Sequence, residues 1–426
     1  MATPRTLAEW LALQEQVHAR AIDLGLGRVG AVARTLGVER PPYRVITVGG
    51  TNGKGSTVAT LEALLLALGL RVGALSSPHL LRYNERIRVA GREATDAELI
   101  GVFERIEAAR GDTTLTFFEY NTLAALLLYA DLQVDVAVLE VGLGGRLDAV
   151  NLVDADVAVL CSVGFDHRDW LGDTLDAIGA EKAGIFRAGR PVVLGTAQMP
   201  PSVYAAIERL GARPLIAGRD FSWQVGPASW SYRGPSLQVA DLPPPRLAGA
   251  IQYRNAATAL AAIEALLAVA PLPAAALGRE AIAAGLAKVE VAGRFQVIPG
   301  PVEWILDVSH NEPAAQILKE NLLARPVAGR TLAVCGILQD KDAAAIARVL
   351  QASAQLWIAC ALPGARGGSA AQLAARLAPT IQVDVQADSV AQGCERARAL
   401  ARPGDRVLVF GSFATVTAAL EWLAQA

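Results

Sequence analysis

The chain has 426 residues, 53% of them hydrophobic, so it is long enough for two hydrophobic cores and too apolar to be mainly disordered. Its formal net charge of −2 offers no general attraction for nucleic acid or for a membrane surface. The longest apolar candidate, residues 265–277, is too short for a membrane span, and the N-terminus lacks the pattern of a signal peptide. The 4 cysteines are scattered without a C-x-x-C pair, so we expect a reduced, cytoplasmic protein.

Apolar runs of strand length alternate with helical patterns along the first part of the chain, which predicts a mostly parallel sheet with helical crossovers. The predicted strands are residues 43–48, 71–75, 134–140, 156–163 and 191–194. The predicted helices are residues 56–68, 96–109, 118–130, 175–184 and 202–210. The composition then changes, and we expect an antiparallel meander of strands 221–225, 228–233 and 236–239, followed by a helix over 255–268.

A second alternation of strands and helices begins near residue 302. Its predicted strands are residues 302–307, 331–335, 355–360, 381–385 and 406–410, and its predicted helices are 313–323, 343–351, 370–377 and 390–401. Glycine and proline recur over 293–300, so we place the boundary there and predict domains 1–294 and 295–426. The predicted fold class is α/β, with a P-loop N-terminal domain and a smaller C-terminal domain.

The segment 45–57 has the layout strand, glycine-rich loop, helix, which is typical of a phosphate-binding loop. Glycines allow the backbone to approach phosphates, and the N-terminus of the helix favours an anion. Lys54 would reach the outer phosphates, and Ser56 or Thr57 could contact a metal ion. One extra glycine, Gly55, separates the lysine from the serine, which argues against a generic GTPase or kinase. A glycine-rich surface turn is the alternative, and the correctly placed strand, lysine and helix argue against it.

Polar residues follow other predicted strands at what should be the same edge of the sheet. The sequence SSPHL occupies 76–80, and a solvated loop is an equally good interpretation of it. Glu140 ends an apolar strand, where its natural partner near a triphosphate is Mg²⁺; an ion pair with Arg146 is the alternative. His167 follows a predicted strand on the ligand edge, which favours a metal or phosphate role over a structural one. From the pattern alone, Lys182 is an ordinary surface lysine.

The second domain carries a polar sequence, DVSHN, at residues 307–311, after a strand and before a predicted helix. Capping of that helix is one interpretation, and contact with a nucleotide is the other. Arg294, at the domain boundary, offers a cation for the same phosphates.

Together these segments resemble the ordered motifs of the folylpolyglutamate synthases. The resemblance runs from about residue 22 to the last helix and rests on GTNGKGS (50–56), SSPHL (76–80), EVGLGGRLD (140–148), DH (166–167), EKAGIFR (181–187), GRF (293–295) and DVSHN (307–311). It implies an ATP-dependent ligase related to the Mur ligases, with a P-loop N-terminal domain and a smaller Rossmann-like C-terminal domain.

The resemblance also implies roles for individual residues. Lys182 resembles the lysine that this family carbamylates, and Ser77, Glu140 and His167 resemble its Mg²⁺ ligands. Lys54, Glu140, His167 and Lys182 would form the catalytic set. The implied ATP-binding residues are Thr51, Asn52, Gly53, Lys54, Gly55, Ser56, Thr57, Asn255, Arg294, Asp307 and His310. The family often has histidine where Ala414 stands, so no role is assigned to that side chain.

Three further segments are similar to the pterin-binding segments of bifunctional bacterial members of the family. They are IDLGL (22–26), LTFFE (115–119) and the pair at 148–149, and the implied pterin-binding residues are Leu24, Thr116, Phe118, Asp148 and Ala149. Phe118 could pack on the pterin ring, and Asp148 could accept its N–H bonds. The alternative is that Phe117 and Phe118 are core residues that open a helix, which we expect for one of them.

We therefore expect a bifunctional ligase that joins L-glutamate to dihydropteroate and to the glutamate tail of reduced folates, through an acyl phosphate formed from ATP. A tail extender alone, or a Mur-type ligase with another carboxylate substrate, is the alternative. A nucleotide-binding regulatory module without catalysis is a third, less favoured reading. We expect Mg²⁺ as cofactor, a monomer, and no nucleic-acid or membrane partner.

Overall fold

The structure is a computed structural model that describes residues 4–20 and 22–425. It divides into two compact units. The first unit comprises the described residues up to Arg246 together with Tyr253–Val289, and the second comprises Leu247–Gln252 and the described residues from Glu290 onward. The predicted limits 1–294 and 295–426 stay a prediction, because compactness alone does not define an independently folding domain.

The first unit alternates helices and strands over most of its length. Its helices are α1 (Leu7–Val17), α2 (Gly27–Leu36), α3 (Lys54–Ala67), α4 (Asp96–Arg110), α5 (Phe117–Asp131), α6 (Arg168–Leu171), α7 (Leu175–Ala183), α8 (Pro201–Leu210), α9 (Ile251–Val269) and α10 (Arg279–Leu286). Its strands are β1 (Arg44–Gly49), β2 (Val72–Leu75), β3 (Ile87–Val89), β4 (Arg92–Glu93), β5 (Val136–Glu140), β6 (Val157–Leu160), β7 (Pro191–Leu194), β8 (Arg213–Ile216), β9 (Ser222–Val225), β10 (Trp230–Arg233) and β11 (Gln238–Leu242). The first two residues of α9 belong to the second unit.

A large sheet forms the centre of the first unit, with strand order β4-β3-β2-β5-β1-β6-β7-β8 among the described residues. Its strands are parallel except for β3 and β4, which pair antiparallel at one edge. Along β5, Ala137 and Leu139 pack in one hydrophobic cluster and Val136 and Val138 pack in another, so both faces of the sheet are covered. Burial on both faces explains why these strands are apolar throughout rather than alternating.

The register of this sheet brings three strand ends together. Val48 of β1 pairs with Glu140 of β5, and Gly49 pairs with Leu160 of β6. Consequently the residues that follow β1, β5 and β6 emerge side by side at the carboxyl edge. The strand predicted over 156–163 is shorter than expected, because the chain leaves the sheet after Leu160 and bonds to the loop after β1 instead.

The predicted meander is present as an antiparallel sheet in the order β11-β10-β9. It is tied to α9 through Glu264, a buried carboxylate. Glu264 accepts hydrogen bonds from the Tyr232 hydroxyl at 2.5 Å, the Ser236 amide at 2.9 Å and the Ser236 hydroxyl at 2.8 Å. Three donors satisfy the charge, which makes burial of this carboxylate tolerable.

The second unit is a smaller α/β sandwich. Its strands are β12 (Gln296–Ile298), β13 (Glu303–Asp307), β14 (Thr331–Cys335), β15 (Leu356–Cys360), β16 (Val385–Ala387) and β17 (Arg406–Phe410), and its helices are α11 (Glu312–Ala324), α12 (Ala343–Leu350), α13 (Ala370–Leu377), α14 (Val390–Leu400) and α15 (Phe413–Gln425). The sheet order over the described residues is β12-β13-β17-β14-β15-β16, and β12 alone among these strands runs antiparallel to its neighbour.

One predicted strand of the second unit was wrong. The strand expected over 381–385 begins only at Val385, which pairs with Ile358. Ile381 lies just after the turn that follows α13, where its amide donates to Leu377 O at 3.0 Å and its side chain packs in the core. Apolar character at Ile381 therefore reflects helix-end packing.

The predicted fold class is confirmed, and no helix in the described part of the chain is long and apolar enough to cross a membrane.

We predict that Glu264→Ala destabilises the protein by about 2–3 kcal/mol, because it leaves the buried hydroxyl of Tyr232 without its acceptor and removes the bonds to Ser236. Urea unfolding followed by circular dichroism would measure the change in the free energy of unfolding. Glu208→Ala is the matched control, since Glu208 is exposed on α8, and it should change the stability by less than about 0.5 kcal/mol. Equal effects from the two substitutions would contradict the anchoring role of Glu264.

Candidate active site

The loop between β1 and α3 has the backbone of a phosphate-binding loop. Gly50 and Gly53 have positive φ angles of 145° and 91°, and α3 begins directly after Gly53. A Cβ atom on Gly50 would lie 3.1 Å from Cys161 Cβ, and one on Gly53 would lie 3.2 Å from Asn255 Oδ1. Glycine is therefore required at both positions by conformation and by space.

This loop is fastened to the segment that follows β6. The Thr51 amide donates to Ser162 O at 2.8 Å, and the Thr51 hydroxyl bonds both the carbonyl and the amide of Gly164. The Asn52 amide donates to the Ser162 hydroxyl at 3.1 Å. Because these two amides are used inside the protein, the N–H groups that stay available to an anion are those of the first turn of α3, which have no acceptor within the helix.

Two lysine side chains converge on the phosphate-binding loop. Nζ of Lys54 donates to Gly50 O at 2.9 Å and to Thr51 O at 3.3 Å. Nζ of Lys182, which comes from α7, donates to the same Gly50 oxygen at 3.3 Å. The site therefore gathers two cationic groups at one carbonyl, an arrangement that suits a polyanionic ligand such as a triphosphate.

Lys182 is buried, so its interpretation as an ordinary surface lysine was wrong. Burial, and then the charge of Lys54, lower the pKa of its ammonium from 10.5 to about 7. The glycines after Glu140 allow α7 to come this close: a Cβ on Gly145 would lie 2.8 Å from the carbonyl oxygen of Lys182. A lysine amine that is partly neutral near physiological pH is chemically reactive.

Glu140 and Ser77 meet at the end of β5. Glu140 is buried, and its Oε2 accepts a hydrogen bond from the Ser77 amide at 3.2 Å. The proposed alternative partner, Arg146, forms its ion pair with Glu181 instead, at 2.9 Å. A carboxylate with a neighbouring serine hydroxyl is a donor set that fits Mg²⁺, which prefers oxygen ligands.

His167 lies at the start of α6 in the left-handed conformation, with φ 51°. Its amide donates to Asp166 Oδ1 at 2.9 Å, and its Nε2 lies 3.9 Å from Asp166 Oδ2. In residues 4–20 and 22–425, no group of three His, Cys, Asp or Glu side chains is close enough together to hold a metal ion. A metal-ligand role for His167 stays a prediction.

The sequence interpretation missed a pair of residues that shape the loop after β2. Glu85 accepts from the amides of Leu80, Leu81 and Arg82 at 2.7–2.8 Å, which fixes the turn that follows Ser77. Arg86 donates to His79 Nδ1 at 2.6 Å, and burial and this cation lower the pKa of His79 to about 4. The segment SSPHL is therefore a partly exposed loop whose backbone is fixed by side-chain hydrogen bonds. The run of polar residues at 83–86 was the signal that could have pointed to it.

The two phenylalanines that open α5 have different surroundings. Phe117 packs edge-on against Tyr83, with ring centroids 5.5 Å apart, and under the guanidinium of Arg86. Phe118 lies against Gly142, where an added Cβ would be 2.8 Å from its ring. Both rings are partly buried against the same hydrophobic cluster, and Phe118 also lies over the glycine-rich loop after β5. Thr116 caps α5 by accepting from the Glu119 amide at 3.2 Å.

Asp148 is buried and forms hydrogen bonds to the surrounding backbone. Its Oδ2 accepts from the Leu143 amide at 2.7 Å and its Oδ1 accepts from the Val150 amide at 3.1 Å. Burial raises the pKa of Asp148 to about 6. The segment that contains Leu24 lies next to this loop in space, since the amide of Gly25 donates to Leu147 O at 3.2 Å. Ala149 is buried next to Asp148.

The remaining predicted ATP-binding residues are divided between the two units. Asn255 belongs to the first unit and lies against the phosphate-binding loop at Gly53. Arg294, Asp307 and His310 belong to the second unit.

In the second unit, these three residues lie near the carboxyl end of β13 and the start of α11. Asp307 accepts from the amides of Phe295 and Ser309, each at 2.8 Å. The ring of His310 lies against Phe413, with ring centroids 6.3 Å apart. The guanidinium carbon of Arg294 lies 5.1 Å from the centroid of the same Phe413 ring. Helix capping falls to the neighbouring Asn311, whose Oδ1 accepts from the Ala314 amide at 3.0 Å. Asn311 therefore caps the helix, whereas Asp307 and His310 contact other residues.

Comparison with known proteins identifies the class to which this fold and site belong. The family model of the Mur ligase middle domain matches residues 48–197, and that of the Mur ligase glutamate ligase domain matches residues 293–413. The phosphate-binding loop, Glu140 and Lys182 all lie in the first match, and Asp307 and His310 lie in the second. The protein therefore belongs to the class of Mur ligases.

More similar proteins define the family within that class. The dihydrofolate synthase/folylpolyglutamate synthase of Escherichia coli (strain K12) is 44% identical over 97% of this chain and 95% of its own length. A solved structure of E. coli FolC in complex with DHPP and ADP is 43% identical, with a TM-score of 0.93 over 100% of this chain and 99% of that chain. A bifunctional folylpolyglutamate synthase/dihydrofolate synthase with Mn, AMPPNP and L-glutamate bound is 43% identical, with a TM-score of 0.89 over 99% and 100% of the two chains. This chain belongs to the family of dihydrofolate synthases/folylpolyglutamate synthases, which are ATP-dependent ligases.

The lowered pKa of Lys182 predicts a pH dependence of stability. The folded state loses this proton near pH 7, whereas the unfolded state retains it to about pH 10, so the unfolded state binds more protons between these values. The stability of the wild type relative to Lys182→Met should therefore rise with pH from about 7 towards 10, by at most about 1.4 kcal/mol per pH unit. Urea unfolding of both proteins across this range, in buffer free of bicarbonate, measures the difference between their free energies of unfolding. A difference that stays constant with pH would contradict the lowered pKa of Lys182.

Proposed function

We propose that this protein is a bifunctional ligase that joins L-glutamate to dihydropteroate, giving dihydrofolate, and to the glutamate tail of reduced folates. ATP supplies the driving force through an acyl phosphate. The observation that carries this proposal is the convergence of Lys54 and Lys182 on the Gly50 carbonyl, beside the carboxylate of Glu140 at the next strand end. The names and bound ligands of relatives at 43–44% identity, among them ADP, AMPPNP and L-glutamate, support the choice of substrates.

The reaction proceeds in two displacements. In the first, a carboxylate oxygen of the folate substrate attacks the γ-phosphorus of ATP, the bond from that phosphorus to ADP breaks, and an acyl phosphate forms. In the second, the amine of L-glutamate attacks the acyl carbon, phosphate leaves and the amine loses a proton, which gives the amide. A bare carboxylate is a poor acyl donor, so the first step provides the leaving group that the second needs. None of the steps requires a covalent bond to the protein.

The residues of the phosphate-binding loop position the triphosphate for the first step. The first-turn amides of α3 bind phosphate oxygens, and Lys54 turns from Gly50 O to the outer phosphates as ATP binds. Electrostatic stabilisation of the transferring group is the main contribution that a protein makes to phosphoryl transfer. The first unit would add Thr51, Asn52, Gly53, Gly55, Ser56, Thr57 and Asn255 as ATP-binding residues. For the second unit, we propose Arg294, Asp307 and His310 as residues that bind ATP.

Mg²⁺ is the metal we propose for this site. Ser77 and Glu140 would hold it, together with His167, and the donor set of carboxylate and hydroxyl oxygens fits its chemistry. When bound, the ion offsets the negative charge of the phosphate oxygens. The relative with Mn and AMPPNP bound supports a divalent ion in this family.

The pterin ring of dihydropteroate is proposed to lie against Phe118. This ring is half-buried over Gly142, so it offers a flat apolar surface next to the loop that holds Asp148. Asp148 accepts backbone amides from Leu143, Val150 and Gly142. A carboxylate offers about four acceptor positions, so one is left for a pterin N–H. Leu24, Thr116 and Ala149 complete the proposed site.

We further propose that Lys182 is carbamylated. Its neutral amine attacks CO₂, an N–C bond forms and one proton is released, so that a buried cation becomes a carboxylate. The carboxylate would relieve the repulsion between the two lysines and pair with Lys54 beside Gly50. The domain limits, the monomeric state, the cytoplasmic location and the lack of nucleic-acid and membrane partners stay predictions.

Phosphate release from Mg-ATP and L-glutamate tests the function, with dihydropteroate and tetrahydrofolate compared as the carboxylate substrate. We expect release with both substrates in the wild type. Lys54→Ala should lower the rate with each at least about a hundredfold, because the transferring phosphoryl group loses its positioned cation. Circular dichroism would show that this variant keeps its fold.

Lys288→Ala is the matched control, because Lys288 is an exposed lysine of the same unit. It should leave both rates unchanged. Release with tetrahydrofolate alone would reduce the function to tail extension, and silence with both would redirect the search to other Mur-type carboxylates. A normal rate in Lys54→Ala would contradict the assignment of the phosphate-binding loop.

Isotope-labelled bicarbonate tests the carbamylation of Lys182. The labelled protein should show one carbamate carbon resonance, and Lys182→Met should lose it together with most of the turnover. Lys288→Met should keep both, since this exposed lysine is not part of the proposed site. A carbamate resonance that survives in Lys182→Met would exclude Lys182 as its source.

A further inference from the structure

A series of polar contacts joins the segment before α2 to the start of α5. Its members are His18, Asp23, Arg28, Thr114 and Glu119, and we refer to them as the Arg28 clasp. All of them belong to the first unit. Neither ATP binding nor the acyl-transfer chemistry uses any of these side chains, so their arrangement needs another explanation.

Asp23 is the centre of the clasp. Its Oδ2 accepts from Nε2 of His18 at 3.1 Å and lies 2.7 Å from NH1 of Arg28. NH2 of Arg28 also donates to the backbone carbonyl of Asp23 at 2.7 Å. One guanidinium thus bonds both the side chain and the main chain of the same residue, which fixes the backbone as well as the carboxylate.

Both ends of the clasp reach the N-terminal region of α5. NH2 of Arg28 lies 3.2 Å from Oε1 of Glu119, whose side chain is only 4% exposed. The other oxygen of Glu119 accepts from the Thr116 amide at 2.7 Å. At the opposite end, Nδ1 of His18 lies 2.8 Å from the hydroxyl of Thr114.

The clasp therefore connects the segments on which the proposed pterin site is built. Residues 22–26 contain Leu24 and form neither helix nor strand. They are joined to the loop before Asp148 by one backbone hydrogen bond, from Gly25 to Leu147 O at 3.2 Å. Hydrogen bonds through Asp23 and Arg28 join them to Glu119 of α5, next to the turn that presents Thr116 and Phe118.

We propose that Arg28 is a positioning residue for the pterin-bearing substrate: through Asp23 and Glu119 it holds the segment 22–26 against the start of α5 and so forms one wall of the dihydropteroate site. This inference rests on the proposed function, because it assigns the wall to the dihydropteroate site. It adds a determinant of substrate affinity that touches neither ATP nor the reacting carboxylate.

The physical basis is the conformational freedom of the segment. A segment without regular structure must be ordered before it can contact a ligand, and ordering it costs conformational entropy. The apparent affinity of a ligand falls in proportion to the fraction of protein in the binding-competent conformation. Arg28 and Asp23 are each about a quarter exposed, at 28% and 26%, so their contacts are shielded enough to contribute but do not form a buried core.

The test is steady-state kinetics of Arg28→Met with each substrate varied in turn. We expect the KM for dihydropteroate to rise about tenfold. The kcat, the KM for ATP and the KM for L-glutamate should stay within about twofold, because the clasp acts on substrate binding alone. Arg28→Lys should give an intermediate KM, since a single ammonium can bond Asp23 or Glu119 but cannot match the fork of the guanidinium.

Arg105→Met is the matched control, because it removes an arginine from an exposed ion pair with Asp131 that joins α4 to α5 in the same unit. Its kinetic constants should equal those of the wild type. An unchanged KM for dihydropteroate in Arg28→Met, or equal losses for all substrates together with a lower melting temperature, would overturn the proposal while leaving the function intact. No turnover of dihydropteroate by the wild type itself would instead refute the proposed function, and the clasp assignment with it.

Discussion

The carbonyl oxygen of Gly50 receives the ammonium groups of both Lys54 and Lys182, and the rest of the site follows from this interaction. Burial, and then repulsion by the like charge of Lys54 within this pair, lower the pKa of Lys182 to about 7. The pair can be relieved in two ways: an anion can bind to it, or one lysine can give up its charge. In our proposal the enzyme uses both, with triphosphate bound by Lys54 and a carbamate formed on Lys182.

The parallel sheet explains why these groups meet. β1 is central and pairs with β5 and β6, so the loop after Gly49, the carboxylate of Glu140 and the segment after Leu160 emerge at the same level. The segment after β6 then bonds to Thr51 and Asn52, which holds the phosphate-binding loop in place before any ligand arrives. Preorganisation of this kind is what makes electrostatic stabilisation effective, since the protein need not reorganise during the reaction.

The sequence predicted the parts of this arrangement that local patterns determine. The glycines around Lys54 and the apolar run before Glu140 are local signals, and the strand, loop and helix they predicted are present. Burial of Lys182 could not be predicted in this way, because it depends on α7 approaching a glycine loop far away in the chain.

Elements whose identity depends on tertiary pairing were also missed or misplaced. The edge strands β3 and β4 are three and two residues long, which is too short to show an alternation of apolar and polar residues. The strand expected over 381–385 was misplaced because Ile381 is apolar for a different reason, namely packing at the end of α13. The Arg28 clasp joins residues nearly a hundred positions apart, so only the folded chain reveals it. The most direct test of the central claim, phosphoryl transfer to the substrate carboxylate, is to label that carboxylate with a heavy oxygen isotope and analyse the phosphate released in one turnover. The account predicts one labelled oxygen in each phosphate, carried over through the acyl phosphate; phosphate without label would contradict it.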